Sequence, residues 1–298
     1  MINITSTINS EYSDVLMTLY VSILENNLDH TFQFFIVNDK IDEEDKVYLK
    51  QLENIYNNVQ KVTFVDVNEQ FYKTANVDRP ANPIPQNTYY RLELPNMLSV
   101  SRILYLDADM LCTGNIGDLW NTDLHQKTLG AIREQYLPHG SPRLPFLHVT
   151  NRKNGYFNAG LLLIDVNKWK QRHITQRARK LIAERGNELT YADQDTLNEL
   201  LNGYWEPLPP KYNVEPYLTN LTFKFPFTKK QIQEARQHPI IIHYSGWAKP
   251  WVRYGKSIHP WRNQYFWYKY IATQRLHDYA FNQKNETDKK IMINKKSV

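Results

Sequence analysis

Asp107 and Asp109, in Asp107-Ala108-Asp109, close the apolar run Ile103-Leu104-Tyr105-Leu106. Side chains alternate sides along extended backbone, so residues two apart can turn their oxygens toward one cation. Carboxylate oxygens suit hard divalent metals such as Mn²⁺ and Mg²⁺, which in turn hold phosphate oxygens. A solvated turn is the common fate of such a pair. The strand in front changes that reading, because open α/β sheets bind ligands at the carboxyl ends of their strands.

Three further motifs could supply the rest of a site. Thr7-Ile8-Asn9-Ser10-Glu11-Tyr12 reads as a strand end entering a first helix. Backbone N–H groups there attract anions and Tyr12 could stack on a base, although a plain βα turn gives the same pattern. In Tyr156-Phe157-Asn158-Ala159-Gly160, before the strand-like Leu161-Leu162-Leu163-Ile164, Ala and Gly permit close approach of a ligand and Asn158 could bind hydroxyls. The alternative is a bulge. His243-Tyr244-Ser245-Gly246, with Lys249 beyond, offers an imidazole to an oxygen-rich metal site, a glycine for backbone approach to phosphate, and a point charge.

These residues need a scaffold, and the chain alternates strand and helix signals. Residues 32–37, 62–67, 103–106, 161–164 and 240–242 read as buried strands. Helical patterns cover 15–24, 42–57, 167–184 and 193–201. The alternation predicts an α/β fold with a mostly parallel sheet between helices. Pro-rich stretches at 79–85 and 138–145 read as loops. A boundary near Trp251 divides residues 1–251, the catalytic or binding domain, from an aromatic and basic extension at 252–298. The extension packs helices on the core or sits at an anionic membrane surface, with aromatics at headgroup depth.

The chain has 298 residues, 42% of them hydrophobic, and a net charge of +5. Residues 281–298 carry +3 of that, with five lysines against Glu286 and Asp288, and read as a solvated terminus. The remaining body, at +2, lacks the basic stripe of a nucleic-acid-binding protein. One cysteine, Cys112, excludes an internal disulfide and fits a reducing compartment; it reads as a small buried hydrophobe. No signal-peptide pattern and no run of 18 apolar residues are present. The expectation is a cytoplasmic protein, peripheral at the inner face of the membrane if the extension binds lipid.

Five motifs in order give the chain a family resemblance through about Trp251. They are Thr88-Tyr89-Tyr90-Arg91-Leu92, Leu104 to Asp109, Phe157-Asn158-Ala159-Gly160, Asp193-Gln194-Asp195, and His243-x-x-Gly246-x-x-Lys249-Pro250-Trp251. In these the sequence resembles glycosyltransferase family 8. The resemblance implies a GT-A fold, a Rossmann-like half merged with an acceptor-binding half, and retaining transfer from a UDP-sugar. It implies Mn²⁺, or Mg²⁺, on Asp107, Asp109 and His243. Thr7, Asn9, Tyr12 and Ala108 would line the UDP pocket, and Arg91, Gly246 and Lys249 would serve the phosphates. Arg91, Asn158, Ala159, Asp193 and Gln194 would surround the donor sugar. The first motif departs from the family, which commonly has an acidic residue at Asn9 and Asn at Glu11. Glu134 is a candidate acceptor contact, set against a solvated loop residue.

The family pattern places Gln194 at the anomeric carbon, and an amide is a poor nucleophile. Same-face attack is therefore favoured, with the departing phosphate taking the acceptor's proton and Asp193 as the fallback nucleophile. The expected partners are a UDP-sugar carrying a hexose or N-acetylhexosamine, and a surface saccharide, glycolipid or glycoprotein. Two rivals remain. A catalytically silent UDP-sugar or glycan-binding module would keep the same residues. A sugar nucleotidyltransferase would need a Gly-rich basic loop, and residues 5–14 contain no Gly, Lys or Arg.

Overall fold

The computed structural model describes residues 1–38, 40–72, 86–135, 155–219, 225–246, 249–252 and 259–296. The Pro-rich stretches 79–85 and 138–145 lie outside them. β1 (Ile2–Ile8) enters a 3-10 turn and α1 (Ser13–Asn26), which returns the chain to β2 (Phe32–Asn38). α2 (Glu43–Lys50) and α3 (Leu52–Ile55) lead to β3 (Val59–Asp66). The three strands pair in parallel, which the intervening helices make possible.

A 3-10 segment (Gln86–Leu92) and α4 (Leu94–Met97) precede β4 (Arg102–Leu106), which joins the free side of β1 in parallel. Next come β5 (Met110–Cys112), α5 (Gly117–Trp120), β6 (Leu129–Arg133) and β7 (Phe157–Asp165). α6 (Val166–Gln171), α7 (Ile174–Arg185) and α8 (Ala192–Leu200) follow. β8 (Trp205–Pro207), α9 (Lys229–Gln237), β9 (Ile241–His243) and α10 (Arg262–Lys296) complete the described strands and α-helices. The main sheet has the order β3-β2-β1-β4-β7-β6-β8, with β7 antiparallel to both neighbours and the other pairings parallel. The order reverses between β1 and β4, so a crevice opens at their carboxyl ends.

Alternation along β4 explains the two layers. Leu104 and Leu106 point into a core shared with α1, whose Tyr20 stacks on Phe34 at 4.2 Å. Ile103 and Tyr105 point into the opposite core with α6, α7 and α8. α10 lies along α1: Tyr265 and Ala272 are buried, Asn26 donates to Tyr268 Oη at 2.7 Å, and Arg275 pairs with Glu25 at 2.8 Å.

Three expectations are corrected. The 240–242 strand is not in the main sheet; β9 pairs antiparallel with β5 in a separate two-stranded sheet. The reason is the Asp107-Ala108-Asp109 turn, which carries β5 away from β4 and leaves it open to β9. The 42–57 helix is two, divided at Gln51. The 167–184 helix is also two, because His173 takes a left-handed conformation (φ 51°) that ends α6 and starts α7. The extension is helical, as expected, with α10 running through Lys296.

Candidate active site

Two registers bring Asp107, Asp109 and His243 together. β4 and β7 run antiparallel with Leu106 opposite Leu161, and the pairing continues as the Asp107 N–H donates to the Gly160 carbonyl at 2.8 Å. β5 and β9 place Met110 opposite His243, and the Tyr244 N–H donates to the Asp109 carbonyl at 2.9 Å. His243 Nε2 thus lies 3.4 Å from Asp109 Oδ1 and 3.9 Å from Asp107 Oδ2, and one ligand atom from each of the three falls within 4.8 Å of the others. Ligands bound at about 2.1 Å to one octahedral ion are spaced roughly 3 to 4 Å apart. The donor set of two carboxylates and one imidazole therefore fits Mn²⁺ or Mg²⁺ in both chemistry and spacing.

Each ligand is oriented from behind. Asp107 Oδ1 accepts from Tyr105 Oη at 2.9 Å and pairs with Arg91 Nη2 at 3.0 Å, which leaves Oδ2 for the cation. His243 Nδ1 meets Asn213 Oδ1 at 2.9 Å, while Asn213 Nδ2 donates to Asn158 Oδ1 at 2.9 Å. Asn213 Oδ1 is therefore an acceptor, so Nδ1 carries the hydrogen and Nε2 offers its lone pair to the site. Burial raises the Asp109 carboxyl, but Lys249 and His243 outweigh it and hold the group well below the usual carboxylate range. Lys249 Nζ bonds both Asp109 Oδ2 and, at 2.6 Å, the Tyr244 carbonyl.

Thr88 and Arg91 lie three residues apart on the 3-10 segment, where side chains eclipse. Arg91 is buried against the Tyr105 ring and donates to the carbonyls of Ala159 (2.7 Å) and Thr88 (3.1 Å). It also pairs with Asp193 Oδ2 at 3.0 Å, while Thr88 Oγ1 donates to Asp193 Oδ1 at 2.6 Å. Burial pushes the Asp193 carboxyl up to about 6 despite these partners.

α8 is fixed to β7 by two amides four residues apart on one helix face. Gln194 Oε1 accepts from the Ala159 N–H at 2.8 Å, and Asn198 bonds both the N–H and the carbonyl of Phe157 at 2.8 Å. Asp195 ties the helix start, accepting from Tyr156 Oη at 2.5 Å and the Tyr191 N–H at 2.7 Å. Gln194 Nε2 and Asn158 Nδ2 both donate to Glu134 Oε2, at 3.1 and 3.0 Å. Glu134 is thus buried beside the site, which overturns the solvated-loop alternative. Asn198, Asn213 and Tyr105 were not singled out from sequence; only the Gln194/Asn198 spacing carried a signal.

Two cavities flank the triad. One of about 270 Å³ is lined by Thr7, Asn9, Tyr12, Arg91, Ala108 and both metal-site aspartates, among others. Asn9 Oδ1 is buried there without a hydrogen-bond partner among the described residues. The other, about 140 Å³, is lined by Arg91, Asn158, Ala159, Asp193, Gln194 and His243 together with Asp107. Gly246 has φ +77°, a backbone form that L side chains rarely adopt.

The class follows from this arrangement: an enzyme of GT-A architecture with a candidate metal site at the carboxyl ends of β1 and β4. The fold matches that of galactosyltransferase LgtC, solved in complex with donor and acceptor sugar analogs, with TM-score 0.79 over 90% of this chain and 95% of that one at 23% identity. The description of glycosyl transferase family 8 matches residues 3–255, and the chain belongs to that family. Relatives include General stress protein A of Bacillus subtilis (strain 168), 29% identical over 95% of this chain and 98% of that protein. The lipopolysaccharide 1,2-glucosyltransferase of Escherichia coli (strain K12) is 27% identical over 87% of this chain and 75% of that protein.

Proposed function

We propose that this glycosyltransferase moves a hexose or N-acetylhexosamine from a UDP-sugar to a saccharide, glycolipid or glycoprotein acceptor of the cell surface, with retention and with a divalent metal. The observation that carries the reading is the convergence of Asp107, Asp109 and His243 between the two cavities. Family membership and the named activities of relatives such as the lipopolysaccharide 1,2-glucosyltransferase support the acceptor class. Asp107, Asp109 and His243 would hold Mn²⁺ or Mg²⁺, which when bound acts as a Lewis acid toward the diphosphate leaving group.

The chain's own residues do the rest. Asn9 offers its unpartnered oxygen and Tyr12 its ring to the uridine. Lys249, released from Asp109, and the backbone at Gly246 neutralise the leaving phosphate. Gln194 keeps one N–H of Nε2 and one lone pair of Oε1 for the donor sugar after its bonds to Glu134 and Ala159. Asp193 is a poor nucleophile, because Arg91 and Thr88 hold its two oxygens and burial favours its neutral form. Same-face attack fits this arrangement better than a covalent intermediate, with the departing phosphate accepting the proton of the acceptor hydroxyl.

The test is release of UDP from UDP-glucose, UDP-galactose and UDP-N-acetylglucosamine, with Mn²⁺, with Mg²⁺ and with EDTA. Metal-dependent release from one of them is expected. No release from any, with either metal, would sink the reading; binding without release would favour the silent module.

Residues 1–251 carry this site, and 252–298 provide the lipid-facing part of the same reading. Phe266, Trp267, Tyr270 and Phe281 are exposed along α10, and four lysines follow at 289, 290, 295 and 296. No helix among the described residues is long and apolar enough to cross a membrane. A peripheral position on an anionic inner leaflet fits that pattern. Since Tyr265 and Ala272 belong to the core, the test uses point variants rather than truncation. Trp267→Ser with Tyr270→Ser should abolish salt-sensitive binding to anionic liposomes; a wild-type protein that ignores them at low salt contradicts it.

A further inference from the structure

Two consecutive N–H groups of β7 are taken by side-chain amides. The Ala159 N–H donates to Gln194 Oε1 at 2.8 Å, and the Gly160 N–H donates to Asn158 Oδ1 at 2.9 Å. The far ends of both amides meet one atom: Gln194 Nε2 and Asn158 Nδ2 donate to Glu134 Oε2 at 3.1 and 3.0 Å. Each amide is thus held between a donor and an acceptor, and its direction is set. Turning Gln194 over would put donor against donor at Ala159 and acceptor against acceptor at Glu134. Asn158 would meet the same conflict at Gly160 and Glu134.

Glu134 can serve as the common end because its backbone is fixed on both sides. Its own N–H donates to the Tyr156 carbonyl at 3.0 Å, which continues the pairing of β6 with β7. Next in the chain, Gln135 Nε2 donates to the Asn213 carbonyl at 2.5 Å and its Oε1 accepts from the Glu215 N–H at 3.3 Å. The Glu134 side chain is 8% exposed. Asn158 and Gln194 line the cavity of about 140 Å³, and Glu134 stands behind them.

We infer that Glu134 is a positioning residue for sugar transfer: it fixes the Gln194 amide from behind, so that the same N–H and the same lone pair always face the donor sugar. The inference rests on the transfer reading above, and it moves Glu134 from the acceptor side of the reaction to the donor side. The two amides depend on it unequally. Asn158 Oδ1 also accepts from Asn213 Nδ2 at 2.9 Å, so two donors still hold it when Glu134 is lost. Gln194 Oε1 is left with the Ala159 N–H, its Nε2 has lost its acceptor, and the amide can turn. The loss therefore loosens Gln194 and spares the Asn213–His243 contact. None of Glu134, Asn158 and Gln194 is among the residues lining the nucleotide cavity, so the effect belongs in kcat rather than in Mn²⁺ affinity or donor KM.

The experiment measures Mn²⁺-dependent UDP release to water, with no saccharide acceptor present, for wild type, Glu134→Gln and Glu134→Leu, scored as kcat and donor KM. Thermal melts and Mn²⁺ titration follow the fold and the metal site. Glu134→Gln still offers a carbonyl oxygen to both amides and should keep kcat within about threefold. Glu134→Leu offers none and should lose about 10- to 100-fold in kcat, the scale of a slight misplacement beside a reacting atom, with donor KM and Mn²⁺ affinity within about threefold. Wild-type kcat in Glu134→Leu would overturn the inference and return Glu134 to the acceptor, because an acceptor contact spares release to water. A Glu134→Gln that melts like wild type yet is as slow as Glu134→Leu would overturn it, as would a loss of Mn²⁺ affinity equal to the loss in kcat. Proton–nitrogen spectra test the contact without activity: the Gln194 side-chain N–H signals, assigned by their absence from Gln194→Ala, should move in Glu134→Gln as the acceptor changes from carboxyl to amide. Signals that stay in place would overturn the anchor. A wild type inactive with every donor would instead overturn the transfer reading, while the Gln194 signals still decide the anchor.

Discussion

Replacing Gly160 by Ala should break the metal site without breaking the fold. A Cβ there would lie 2.5 Å from His243 Cε1, 2.9 Å from Asn158 Oδ1 and 3.0 Å from Asp107 Oδ2. Carbon atoms in contact sit at about 3.5 to 4 Å, so the imidazole must retreat by about 1 Å. That shift moves Nε2 off the Asp107–Asp109 locus, and displacement of about 1 Å at a reacting centre costs on the order of 100-fold. Overpacking by itself costs about 1–3 kcal/mol, so a control is needed. Gly130, in the same sheet, supplies it: a Cβ there would lie 2.9 Å from Leu124 Cδ2 and 3.2 Å from Leu208, away from the site. Isothermal titration with Mn²⁺ in the presence of UDP, with thermal melts alongside, separates the two. Gly130→Ala should melt lower and bind Mn²⁺ normally; Gly160→Ala should lose most Mn²⁺ affinity. A Gly160→Ala that binds Mn²⁺ as tightly as wild type would refute the reasoning.

Asn213→Leu removes the acceptor that sets the His243 tautomer and should weaken Mn²⁺ binding by about 10- to 100-fold, whereas Asn213→Asp should retain most of it. Unchanged Mn²⁺ titration in the Leu variant would show that Asn213 does not orient the ring. Asn198→Ala leaves the N–H and carbonyl of Phe157 unpaired in the core and should cost about 2–4 kcal/mol in urea unfolding; a loss below about 1 kcal/mol would contradict the clamp between α8 and β7. Glu215, raised from 4.5 to about 8, holds its proton in the folded state where the unfolded chain has released it. The stability this contributes is full below 4.5 and declines as pH rises toward about 8, so wild type should lose stability relative to Glu215→Gln across that window. Parallel pH slopes for the two proteins would dismiss the shift.

Much of the frame was legible because it repeats. The apolar run before Asp107 and the stripe from Val15 to Leu24 each state a period, and periods survive folding. The sheet's parallel half followed from strands alternating with helices. The 240–242 strand was visible, but three residues do not say which edge they will pair with; the turn at Asp107-Ala108-Asp109 decided that. Helix breaks at Gln51 and His173 carry no Gly or Pro, so pattern alone ran through them. Within the site, Asp107, Asp109 and His243 each followed a strand signal. Asn213, Asn198 and Glu215 are lone polar residues with no spacing to mark them. The roles of the two asparagines come from what the fold places opposite: an imidazole and a strand backbone.

Diffraction at the manganese edge from crystals grown with Mn²⁺ and UDP tests the central claim most directly. The account predicts one anomalous peak within bonding distance of a carboxylate oxygen of Asp107, a carboxylate oxygen of Asp109 and His243 Nε2, with the diphosphate on its open side. A peak that misses any of these three side chains, or its absence from the crevice between β1 and β4, would contradict it.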